Sequence, residues 1–65
     1  LMQEDPNMAR THLNYGILRE KEENYGEAKR YYKKGYEIGK AYDAPSSIIN
    51  LAAESYNRLL KVKTD

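Results

Sequence analysis

His12 is the single histidine of the chain, and with Ser46, Ser47, Ser55 and the carboxylates Glu20, Glu22 and Glu23 it forms the stock from which a hydrolytic or acid–base site could be built. Such a site needs a nucleophile within hydrogen-bond reach of a base, and the base oriented by a third group. No serine or cysteine shares a helix face with His12, and the three glutamates crowd the end of a helix, where negative charge opposes the dipole and reads as a solvated turn. One histidine and no cysteine cannot gather the three or four ligands of a zinc site. The four glycines are scattered, so no phosphate-cradling loop is present. The expectation is a protein that is not an enzyme and uses no cofactor or metal.

Binding chemistry is better represented. Lys29, Arg30, Lys33 and Lys34 form a basic band interleaved with Tyr31 and Tyr32, a pattern that could meet phosphates and makes a helical nucleic-acid-binding module the alternative reading. Glu27 and Glu37 flank the band, and a charged outer face is what an exposed helix needs, so a solvated face is preferred. Seven tyrosines could make a stacking platform, but Tyr25, Tyr32 and Tyr36 fall on a packing stripe, leaving Tyr31, Tyr42 and Tyr56 as contact candidates.

These residues sit in a chain of 65 residues, one domain at most, with eleven basic and ten acidic side chains and a formal charge of +1. That balance gives no global field for nucleic acid or a membrane surface. No apolar run approaches the ~20 residues needed to span a bilayer, and no signal-peptide pattern opens the sequence, so a soluble, cytoplasmic setting is expected. A chain this short buries only about 60% of its unfolded surface and has no disulfide or metal to help, which leaves helix packing and association as its means of stability.

Three helices are predicted, at about 7–22, 26–40 and 46–63. Met8, Leu13, Tyr15, Ile17 and Leu18 recur with helical spacing after Pro6, a first-turn residue. Glu-Asn-Tyr-Gly at 23–26 breaks the pattern, and Asn24 is placed to cap the next helix. In that second helix Tyr25, Ala28, Tyr32, Gly35, Tyr36 and Gly39 fall at steps of three and four, and each glycine, costing roughly 1 kcal/mol against alanine, implies a backbone passing close by. Pro45 restarts the chain, and Ser46 to Lys63 carries an apolar arc from Ile48 to Val62 wider than one neighbour would cover.

Asn14-Tyr15-Gly16 is echoed by Asn50-Leu51-Ala52 at a spacing of 36 residues. Leu13 to Lys40, about half the chain, resembles a tetratricopeptide repeat: Tyr15 and Gly16 match its large-then-glycine pair, Tyr25 its turn aromatic, Ala28 a small position, Tyr32 an aromatic and Gly35 a second small position. His12, Arg19 and Lys40 depart from it, standing where the family often has tryptophan, an aromatic and proline.

The resemblance implies an all-α architecture, an antiparallel helical hairpin plus a third helix that together form a segment of a right-handed superhelix. It also implies a protein–protein interaction scaffold that takes a peptide or helix of a partner in a groove lined by the first and third helices. The residues carried onto that groove are Arg10, Leu13, Asn14, Ile17 and Lys21, and, 36 residues on, Ser46, Ile49, Asn50, Ala53 and Asn57. Asn14 and Asn50 stand out, because an amide both donates to and accepts from a peptide backbone. Repeats rely on neighbours for burial, so a longer array or self-association is expected.

Overall fold

The computed structural model describes residues 6–61, which form three α-helices: α1 (Pro6–Lys21), α2 (Tyr25–Ala41) and α3 (Ser46–Leu60). The fold is all-α, with no strand among the described residues. Val62 and Lys63, read from the sequence as the end of the third helix, lie outside the described residues. No described helix is long and apolar enough to cross a membrane.

Each connection is a tight turn closed by backbone hydrogen bonds. At the end of α1 the Asn24 N–H reaches the Arg19 carbonyl at 2.8 Å and the Glu23 N–H reaches Glu20 at 2.9 Å, the paired bonds of a Schellman cap. The residue that must then adopt a left-handed conformation is Glu23, at φ 63°. The second turn repeats the device, with Ala44 N–H bonded to Gly39 at 2.9 Å and Asp43 at φ 60°. The expected side-chain cap from Asn24 is therefore corrected: it occupies the N-cap position but makes no side-chain bond there, and its carbonyl accepts from the Ala28 N–H. Pro45 stands at the N-cap of α3, which begins at Ser46 as the sequence predicts, and its carbonyl receives the N–H groups of Ile48 and Ile49.

Short turns fold α1 back on α2 and α2 back on α3, so α2 packs along both neighbours while α1 and α3 meet over a shorter stretch. The main core joins all three: Leu13 from α1, Ala28 and Tyr32 from α2, Ala52 and Leu59 from α3, with Tyr25, Ile48 and Tyr56 packed around it. Ala9, Ile38 and Ala44 form a second cluster beside the α2–α3 turn. Tyr32 and Leu59 are the largest fully buried side chains, and burial of each such group is worth roughly 1.5–3 kcal/mol.

Glycine makes this packing possible. All four glycines lie in helices and none has a positive φ, and three of them, Gly16, Gly35 and Gly39, stand where a side chain would meet a close neighbour. A Cβ on Gly16 would sit 2.7 Å from two ring carbons of Tyr32, and one on Gly35 would sit 3.2 Å from the Ala9 carbonyl oxygen. Gly35 thus has the close backbone neighbour that its cost predicts. At Gly39 the neighbour is a side chain instead, Ile49 Cγ1 at 2.8 Å.

Candidate partner-binding groove

Where the C-terminal turn of α1 passes α3, a polar clasp binds the three helices. Tyr32 on α2 donates its hydroxyl to Glu20 Oε1 on α1 at 2.7 Å. Arg58 on α3 donates through Nη1 to Glu20 Oε2 and through Nη2 to Oε1 at 3.2 Å. The Glu20 side chain is 23% exposed and that of Arg58 54%, so one end of the ion pair is sheltered and the other wet. The Arg58 guanidinium holds Glu20 below the ordinary glutamate range; partial burial opposes this and the Tyr32 hydroxyl assists it. Burial, and then the bond to Glu20, push the Tyr32 hydroxyl up to about 12.

The clasp floors a groove of about 380 Å³ between α1 and α3. Ile17 and Lys21 form its α1 wall, Leu51, Ser55 and Arg58 its α3 wall, and Glu20 and Tyr32 its base. Ile17 is 36% exposed and Leu51 46%, so apolar surface faces solvent on both walls. Lys21 on the rim makes no ion pair among the described residues, and Arg58 directs its charge into the clasp.

The residues expected here divide into several groups. Ile17 and Lys21 line the groove. Arg10, Asn14, Ser46 and Asn50 are exposed, and neither amide is hydrogen-bonded among the described residues, so Asn14 and Asn50 are not spent in tying helices together. Leu13 is a correction: at 5% exposure it belongs to the main core and has no surface to offer. Ala53 and Asn57 line a different cleft, between α2 and α3, and Ile49 packs on the second cluster over Gly39. A 36-residue offset carries positions from α1 to α3 only where both helices present the same angular face. Because α3 turns Ala52, Ser55 and Leu59 inward, its side toward α1 is the Leu51–Ser55–Arg58 stripe.

The other candidate chemistry is dispersed. His12 sits on the opposite side of α1, its Nδ1 2.8 Å from the Met8 carbonyl, which fixes Nδ1 as the donor. Its ring stands 6.1 Å from Tyr31, which in turn lies 5.4 Å from Tyr15. Tyr31 is thus half-buried among rings, while Tyr36, expected on the packing stripe, is 36% exposed. Arg30 and Lys34 border a cleft with His12, Tyr31 and Glu27, whereas Lys33 faces the α2–α3 cleft, so the basic band splits between two flanks. Arg19 is held between Glu22 at 2.7 Å and Glu27 at 3.2 Å, joining the first turn of α2 to the end of α1. No group of three or more metal-ligating side chains occurs among the described residues. Comparison with family models, curated proteins and solved structures returns no match.

Proposed function

We propose that the chain is a tetratricopeptide-like interaction module that holds a peptide or helix of a partner protein in the groove between α1 and α3. The observation that carries the reading is the pairing of half-exposed Ile17 and Leu51 across a groove whose base is already fixed by the Glu20 clasp. A rigid base with apolar walls lets a partner bury carbon without first ordering the site, which lowers the entropic cost of binding. The free amides of Asn14 and Asn50 supply donors and acceptors for an extended backbone, and Lys21 and Arg10 supply charge at the rim. In a longer array of such units, further helices would continue the wall as a right-handed superhelix.

The experiment is selection from a displayed peptide library against the intact chain, followed by affinity measurement with Ile17→Gln plus Leu51→Gln. Glutamine keeps helix propensity and adds no charge. Loss of both apolar contacts should weaken selected ligands about tenfold or more. Ligands that bind the double variant as well as the parent would contradict the reading.

A further inference from the structure

On the other side of α3, α2 and α3 frame a cleft of about 370 Å³ lined by Lys33, Tyr36, Glu37, Ala53, Tyr56 and Asn57. Helical spacing extends its apolar wall, because Ile49, Ala53, Tyr56 and Leu60 stand at steps of three and four on one face of α3. Leu60 is 53% exposed and Tyr36 36%. Ile49 and Tyr56 turn one edge toward the core clusters, and with Ala53 and the exposed Leu60 they form the outer part of the wide α3 arc.

The rim carries a charge pattern of its own. Lys33 and Glu37 are one turn apart on α2, and neither makes an ion pair with a described residue. Lysine preceding glutamate is the weaker order for a pair within one helix, which leaves both charges free to meet an outside partner. We infer that the partner is a second copy of this chain, docked through the α2–α3 cleft about a two-fold axis.

The axis lies in the interface, at right angles to the helices, and passes between Lys33 and Glu37. Rotation about it lays each α2 over the other in reverse, so that Lys33 of either copy faces Glu37 of the other and the same contact occurs twice. The two α3 helices oppose in the same way. Tyr56 then comes close to its own symmetry mate, and Leu60 meets the half of the other α3 that carries Ile49 and Ala53. A different partner would need a base and an acid at this spacing beside an apolar stripe, and this chain presents that pattern itself. Its net charge of +1 puts almost no repulsion in the way.

Sedimentation equilibrium over a wide concentration range at low ionic strength tests the inference, with circular dichroism to confirm that each variant stays helical. A monomer–dimer equilibrium is expected. Lys33→Glu alone and Glu37→Lys alone should each weaken it about tenfold, since two attractive pairs become two repulsive ones, and the double swap should restore it. Ala53→Arg should leave the chain monomeric. Ile17→Gln plus Leu51→Gln should leave the dimer intact, which keeps this outcome separate from that of the groove. A monomer at every concentration, a double swap no better than the single reversals, or a dimer lost only with the groove variants would each overturn the proposal.

Discussion

Glu20 accepts hydrogen bonds from two other helices, and its ionisation is therefore coupled to their assembly. Its folded pKa is depressed, so its contribution is present above the ordinary glutamate range of about 4.3 and is lost as pH falls through the lower folded value. Tyr32 works in the opposite sense. Its folded pKa is raised to about 12, so the stability linked to its neutral form is complete below about 10 and disappears between the two values. Thermal melts across pH should show both edges, and Glu20→Gln should flatten the acid edge at a cost of about 1 kcal/mol near neutrality, modest because Arg58 is half in water. An acid edge of equal depth in the variant would show that other carboxylates are responsible. Gly16 presents the packing counterpart. Alanine there would gain about 1 kcal/mol of helix propensity but force a methyl into a ring that burial and the clasp hold in place. Overpacking costs about 1–3 kcal/mol. Net destabilisation of roughly 1 kcal/mol is expected, a fall in melting temperature of about 4–8 °C, and any rise would mean that the ring moves freely.

At the scale of the element, the two turns set the helix order with acidic residues where glycine is usual. Glu23→Gly removes both the left-handed penalty and a negative charge at a helix C-terminus, and should stabilise by about 0.5–1 kcal/mol in denaturant titrations. Asp43→Gly should gain less, because aspartate tolerates that conformation better. Equal gains would indicate that charge, and not backbone, dominates. This region shows how far the elements could be read from sequence. The break at residues 23–26 was visible through Asn24 and Gly26, yet the residue that bends is Glu23 and Gly26 is helical. Turn propensity locates an interruption. The register within it is fixed by where Tyr25 and Ala28 must face, and that depends on tertiary packing. Tyr36 shows the same dependence: the buried stripe of α2 runs through Ala28, Tyr32, Gly35 and Gly39, and Tyr36 falls just outside it, at the edge of α3.

For the whole molecule, three helices and their order followed from punctuation and periodicity, while the candidate groove was legible on one wall only. Ile17 and Lys21 came from the repeat-like register of α1. The α3 wall did not, because rotation of a helix about its axis is decided by contacts distant in sequence, here Glu20 with Arg58 and Ile49 with Gly39. Opposite charges 38 residues apart carry no signal until that rotation is known. The same architecture gives α3 two unlike flanks, one facing the groove and one facing the α2–α3 cleft, so ligand capture and self-association would use separate surfaces of one helix. The most direct test of the groove is a backbone-amide NMR titration of the isotope-labelled chain with a peptide selected from the display library. Perturbations concentrated at Ile17, Lys21, Leu51, Ser55 and Arg58, and absent from Lys33, Tyr36 and Tyr56, are the predicted result. A saturable complex whose perturbations cluster on the α2–α3 cleft or around His12 and Tyr31, leaving α1 and the Leu51 stripe unmoved, would contradict it.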